Sequence, residues 1–160
     1  STEPLSLEEL SGVMWAAAGV NRSNGHLTAP SALALYPVTV YAFTAEGVFR
    51  YNSELHVLVR EVEGDYRELS AAQDFAYTAP LNLAYVADLA KFDASGIDRT
   101  KAEFLAGQDA AGYAQNVNLY AAGNGLKAIT RGSLKSAEVL NLLSLDPKQY
   151  TVVLAQTVGK

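Results

Sequence analysis

The chain has 160 residues, 49% of them hydrophobic and 18% charged, with a formal net charge of −5 at pH 7. That length suits one domain with a proper core, and an acidic balance without a cationic cluster excludes electrostatic capture of nucleic acid. Cysteine is absent and His26 and His56 are the two histidines, which removes thiol catalysis, disulfides and thiolate metal sites and leaves too few imidazoles for a His-based metal centre.

No apolar run approaches the roughly 18 to 20 residues of a membrane span. The chain opens at Ser1 without an initiator Met, as a processed or trimmed product would, and carries no signal-peptide pattern. The apolar richness fits a protein that also buries surface against a second copy of itself.

The first predicted element is a helix beginning at Leu7. Ser6 is placed to cap its orphan amides and Glu9 completes a capping box. Leu7, Leu10, Met14 and Trp15 recur at helical spacing and predict one buried face. Gly19 is placed to end the helix as a left-handed C-cap.

Asn21 to Pro30 reads as a polar loop. Val38 to Phe43, Gly47 to Tyr51 and Glu54 to Arg60 read as three strands, the last two hairpin-linked. Asp65 to Phe75 has a helical pattern. Pro80 to Ala87 is an apolar run of strand length suited to a sheet interior.

Asp98 to Ala122 is the longest predicted helix, apolar over much of its circumference and therefore central, packed on both sides. Gly107, Gly112 and Gly123 would let another backbone approach closely. Gly125 to Thr130 reads as a strand, Ser133 as the cap of a helix reaching Leu143, and Tyr150 to Gln156 as a final strand. With no repeat and no linker, residues 1–160 form one domain. By pattern alone the fold is α+β or α/β, with a mostly antiparallel, helix-covered sheet.

Three segments, in order, resemble the FMN-dependent nitroreductase family, in particular its short branch related to azoline oxidases. The run from Leu7-Glu8-Glu9-Leu10 to Trp15-Ala16-Ala17-Ala18-Gly19-Val20-Asn21-Arg22 is similar to a leucine-rich helix ending in Trp-Ala-Ala-x-Gly-Ile-Asn-Arg. Thr28-Ala29-Pro30-Ser31-Ala32-Leu33-Ala34-Leu35-Tyr36-Pro37 resembles Thr-Ala-Pro-Ser-Ala-Gly-Ala-Leu-Tyr-Pro. Gly112 to Leu126, with Gln115-Asn116 and then Arg131-Gly132, resembles the family's Gly-x-x-x-Gln-Asn helix and the glycine-containing turn after it. The resemblance covers nearly the whole chain.

It implies an α+β fold: a nitroreductase-like three-layer α/β/α sandwich with a mostly antiparallel sheet, a central apolar helix and a homodimer with FMN at the subunit interface. It further implies a ping-pong reaction in which NAD(P)H reduces the flavin and an electron-poor acceptor, such as a nitroaromatic, quinone or heterocycle, reoxidises it. No catalytic side chain is then required, because the cofactor carries the hydride. Cytoplasmic location is the family's default, an exported form being the alternative. A flavin-binding protein without turnover and a dimeric module that has lost FMN are the other classes left open.

The resemblance also nominates residues. Pro30, Ser31, Ala32 and Ala34 would form the turn that meets the flavin held mainly by the partner subunit; the local alternative is a loop in which Ser31 caps a turn. Thr130, Arg131 and Gly132 would form the turn beside the ring, with the Gly132 amide near N5. Arg131 would lie near the pyrimidine edge or the nicotinamide phosphate, or else be a solvated arginine.

Arg22 would reach phosphate or flavin, or act as a helix-dipole partner. Gln73 would touch the ribityl chain or ring, and His26 would line the substrate pocket or stand exposed. Gln115 and Asn116 are expected to bond within the core. The family's basic Arg-Arg-Ser-x-Arg-x-Phe segment, whose arginines grip the FMN phosphate, would precede Ser1; otherwise that task falls to Arg22, Arg131 or Lys160.

Overall fold

The structure, a computed structural model, describes residues 1–160. Its strands are β1 (Val38–Phe43), β2 (Gly47–Asn52), β3 (Val57–Glu63), β4 (Leu81–Asp88), β5 (Lys127–Arg131) and β6 (Tyr150–Gly159). They form one sheet in the order β3-β2-β1-β4-β6-β5, every neighbouring pair antiparallel. The helices are α1 (Leu7–Ala18), α2 (Arg99–Gly123) and α3 (Ser136–Leu142).

Strand alternation decides the layers. Val38, Val40 and Ala42 of β1 and Leu81, Leu83, Tyr85 and Ala87 of β4 join α1 and α2 in the larger core cluster. The intervening residues Tyr41, Phe43, Ala84 and Val86 meet Val139 and Leu140 of α3 on the other face. Central β4 is buried on both faces until Asp88, as its unbroken apolar run requires. The result is the expected three-layer α/β/α sandwich.

α1 begins as predicted, with Ser6 and Glu9 forming the reciprocal capping box. Its buried stripe is Val13, Met14, Ala17 and Ala18, whereas Leu7 is 83% and Trp15 45% exposed. The expected face is therefore split: Met14 is buried and Leu10 half-buried against the core, while Leu7 and Trp15 stand outside it, because the helix packs on α2 along its Gly12 side, against Tyr120. Gly19 is not a left-handed cap: it is extended at φ −70°, ψ 146°. The chain leaves the helix straight into a short antiparallel bridge, Val20 with Leu27, and the Thr28 amide donates to the Gly19 carbonyl. The Thr28 hydroxyl donates to the carbonyls of Ala16 and Ala17, closing the helix end that a glycine cap would have closed. Gly19 is still required, since a Cβ there would overlap the Trp15 indole.

β5 runs over Lys127–Arg131 rather than Gly125–Thr130 and β6 continues to Gly159 rather than Gln156, and three other elements change. β3 starts at Val57 rather than Glu54, because Asn52 accepts the Leu55 amide and His56 turns at φ 52°, prolonging the hairpin loop. Asp65 to Phe75 is not one helix but two 3-10 turns, Arg67–Ser70 and Asp74–Ala76. Asp65 accepts from the Arg67 amide and guanidinium, and the Ser70 hydroxyl donates to the Arg67 carbonyl, so local side chains outcompete a helical ladder. Ser133 does not cap α3; the helix starts at Ser136 after Lys135, whose amide donates to the Leu69 carbonyl.

α2 spans the length predicted, capped by Asp98. Its buried stripe is Ala102, Ala106, Asp109, Ala110, Tyr113, Ala114, Val117 and Ala121. The opposite side is open in the single chain, with Phe104 56% and Leu119 63% exposed, so packing on both sides is not met within one chain. No helix is long and apolar enough to cross a membrane.

Candidate functional site

The segment 30–37 is an unusual piece of backbone. Leu33, Ala34 and Tyr36 have φ of 54°, 54° and 46°, the left-handed region that costs a non-glycine residue roughly 1–2 kcal/mol. Leu33 occupies the position that is glycine in the resembling pattern. Pro30, Leu33 and Ala34 are exposed, Ser31 and Ala32 half-buried.

What holds this turn lies on α2. Asp109 accepts the Ser31 hydroxyl through one oxygen and the Ala32 amide, at 3.1 Å, through the other. The Ser31 oxygen in turn accepts the Tyr36 amide at 2.9 Å. Asp109 is 6% exposed, and burial raises its pKa above the ordinary carboxylate value, against the opposing pull of the Ser31 and Ala32 bonds. It was not among the residues nominated from sequence. Its signal was there: it is the one charged side chain between Glu103 and Lys127.

The second turn follows β5. Gly132 is exposed, and nothing lies within 4 Å of the place a Cβ would take. This is open space in which a planar group can approach the backbone. Thr130 is exposed, its hydroxyl accepting from the Asn118 amide group on α2 at 3.3 Å.

Arg131 is not a solvated arginine. It is 4% exposed, and its guanidinium donates to Thr157 Oγ1 (2.9 Å), the Ser70 carbonyl (3.0 Å), the Ser133 carbonyl (3.2 Å) and Asn82 Oδ1 (3.3 Å). Thr157 also donates to Asn82 at 2.6 Å, closing the network. Desolvation lowers the guanidinium pKa. The side chain is thus committed beneath the turn.

Of the three cations considered for phosphate, Lys160 is paired with Glu3 at 2.7 Å and Glu9 at 3.5 Å, and Arg131 is buried. Arg22 is exposed and donates from Nη1 to the Leu27 carbonyl at 3.1 Å, which leaves its other donors free. Gln73 is exposed at the start of the Asp74–Ala76 turn with no side-chain cap bond. His26 is half-buried with its ring 5.6 Å from that of Tyr36.

Gln115 departs from expectation. It is exposed and accepts from Asn118 at 3.2 Å. The polar bond inside the core is made by Asn118, whose Oδ1 accepts from Gln156 at 2.7 Å while Gln156 accepts the Tyr85 hydroxyl at 2.6 Å. Asn116 is half-buried.

The two turns therefore lean on α2 at Asp109 and Asn118. Nine residues is about two and a half helical turns, or about 14 Å of rise, and puts the two contacts on opposite flanks of the buried stripe. None of the five main cavities is lined by Ser31, Ala32, Ala34 or Gly132; the largest, about 450 Å³, opens beside Tyr36, Thr39 and Lys91. None of these five cavities encloses both turns.

Comparison with known proteins gives the following. The model of the Nitroreductase family matches residues 1–160. A Methanocaldococcus jannaschii protein named "putative nitroreductase" is 32% identical over an alignment 163 positions long that covers 96% of this chain and 80% of that one. A crystal structure named "putative nitroreductase" from Ralstonia eutropha superposes with a TM-score of 0.90 at 35% identity, covering 100% of this chain and 75% of that one. A third, from Desulfovibrio desulfuricans and in complex with FMN, has a TM-score of 0.66 at 20% identity, over 99% and 76% of the two chains, a likeness of fold.

Proposed function

This chain belongs to the nitroreductase family, and from that membership we propose that it is an FMN-dependent oxidoreductase working as a homodimer, reduced by NAD(P)H and reoxidised by an electron-poor acceptor. The observation that carries the reading is the pair of exposed turns flanking α2, one strained and clamped at residues 31–36, the other open above Gly132. Opposite flanks of one helix suit a site that each chain half builds and a second copy completes.

The outward side of α2 supports that pairing. From Phe104 to Gly123 the helix carries one charge, the buried Asp109, and Phe104 and Leu119 stand exposed on the side away from the buried stripe. Charge-free helical surface with large apolar anchors is what the buried core of a permanent interface is made of. Gly107 and Gly123 have nothing within 4 Å of a notional Cβ, room for a partner's backbone.

The residues present fit FMN. The space above Gly132 admits the edge of a flat ring, and its amide is the donor that would face it. Pro30, Ser31, Ala32 and Ala34 offer small side chains against the ring of the opposite site. Arg22 supplies a free cation for the phosphate, with Gln73 and Thr130 as exposed hydrogen-bonding groups for the ribityl chain or ring edge. Arg131 serves from below, fixing the turn through Ser133 rather than touching the cofactor.

FMN, when bound, supplies the hydride-accepting and hydride-donating ring. The protein's part is to bind it, leave one face open for donor and acceptor in turn, and set its electrostatics.

The test is direct. Purified protein supplied with FMN should be yellow, its flavin band should bleach with NADH or NADPH without oxygen, and a nitroaromatic or quinone should restore it. Flavin retained without bleaching would make this a binding protein; a colourless chain would remove the cofactor altogether.

A further inference from the structure

Asp109 is the feature of this molecule that a flavin-holding fold does not by itself explain. A carboxylate that is 6% exposed, on a helix face otherwise built of Ala, Tyr and Val, forms no ion pair. Both its oxygens are committed to one segment, far off in sequence: the Ser31 hydroxyl and the Ala32 amide. A neighbouring donor goes unused. The Tyr113 hydroxyl is buried without a partner, close enough that the Asp109 charge adds to the burial that raises its pKa. The carboxylate serves the turn rather than the phenol beside it.

The Ser31 hydroxyl carries a single hydrogen, and Asp109 takes it. Its oxygen meanwhile accepts the Tyr36 amide. The side chain long enough to look like a ligand donor is thus used up inside the protein. The bonds hold the turn at its first two residues and its last, and between them Leu33 and Ala34 are thrust outward in the left-handed region, Leu33 being 65% exposed.

We propose that Asp109 is the positioning residue of this turn, fixing the backbone and side chain of Leu33-Ala34 as the surface presented to the flavin and its substrate, while the Ser31 hydroxyl points inward and donates nothing to the ligand. This rests on the flavin reading above. Asp109 itself touches no ligand; it acts through Ser31 and Ala32.

The experiment compares FMN titrations of the full-length wild type with Asp109→Ala, Asp109→Asn, Ser31→Ala and the Ser31→Ala/Asp109→Ala double variant, alongside thermal melts. Asp109→Ala should weaken FMN binding by about tenfold or more, the scale of one lost charge-assisted bond. Asp109→Asn, which keeps one acceptor oxygen, should recover part of that loss. The double variant should bind no more weakly than Asp109→Ala alone, because both substitutions break one clamp.

An affinity unchanged in Asp109→Ala, with wild type binding FMN, overturns the clamp and leaves the flavin reading standing. Additive losses in the double variant also overturn it, since Ser31 would then meet the ligand on its own account. If affinity falls only in step with the melting temperature, with no recovery in Asp109→Asn, Asp109 is merely structural and the proposal fails. A wild type that takes up no FMN removes the flavin reading and this inference with it.

Discussion

Tyr120 of α2 lays the end of its ring over Gly12 of α1, so closely that a Cβ at position 12 would overlap the hydroxyl and the carbon bearing it. Glycine inside a helix ordinarily costs about 1 kcal/mol against alanine, so its presence here marks the approach of the two helices. Gly12→Ala should gain that propensity yet lose about 1–3 kcal/mol to overpacking, giving a net loss in urea melts. Because the overlapping atoms are the far end of one side chain, Tyr120→Leu in the same chain should cancel the loss. A Gly12→Ala variant as stable as wild type would mean that Tyr120 swings out freely.

Gly132→Val should leave the fold intact, since nothing within 4 Å meets a Cβ at that position. It should nevertheless abolish flavin retention, because the branched side chain fills the space into which the ring edge would come. Circular dichroism and bound-flavin absorbance on the same preparation check both halves. Full flavin occupancy in the variant would take this turn out of the site.

Leu33→Gly probes the strained turn. The left-handed φ of 54° costs leucine roughly 1–2 kcal/mol, and glycine brings back about 0.5–1 kcal/mol through a freer unfolded chain. The substitution should therefore raise stability by up to about 1 kcal/mol with the turn unchanged, as read from denaturant midpoints. A loss would show that Leu33 gains more from burial in the assembled protein than it gives up in backbone strain.

Acid should act on two carboxylates in opposite senses. Asp65 is held bidentately by Arg67 at 2.9 and 2.6 Å, and that bond lowers its pKa from 3.8. Its contribution is complete above about pH 4 and is lost as pH falls through the lowered folded value. With the Asp65 side chain 45% exposed, Asp65→Asn should cost about 0.5–1 kcal/mol at neutral pH and nothing in strong acid.

Asp109 has a raised pKa, chiefly from burial. Here the folded chain holds the proton more tightly, and acidification from above the folded value down to 3.8 adds stability. Asp109→Asn should lack that gain. Chemical melts across pH separate the two effects.

Much of the sheet was legible because its signals are local. Val38 to Phe43 is a β-branched and aromatic run, β4 is an unbroken apolar run, and the Ser6–Glu9 cap needs no residue beyond its own helix. The misplacements all arise where a distant or competing partner decides. Asp65 draws Arg67 out of a helix, Thr28 closes α1 in place of Gly19, and Tyr120 sits against α1 at Gly12, leaving Leu7 and Trp15 outside. At the candidate site the two turns could be found by resemblance, but their supports could not. A carboxylate alone on an apolar helix announces itself, yet nothing local says that its partner is Ser31. Arg131 read equally well as a ligand or as solvated because its four acceptors come from Asn82, Thr157, Ser70 and Ser133.

That fan of bonds has a consequence for motion. β5 is a five-residue edge strand paired on one side to β6, and a short edge of this kind would normally fray first, its amides exchanging with deuterium through small local openings. Arg131 ends β5 and grips β4, β6 and the loops at Ser70 and Ser133, so the strand cannot peel off without tearing a buried guanidinium from all of them. Its amides should exchange at the rate of whole-sheet opening, and Arg131→Met should return them to the fast, independent exchange of an ordinary edge.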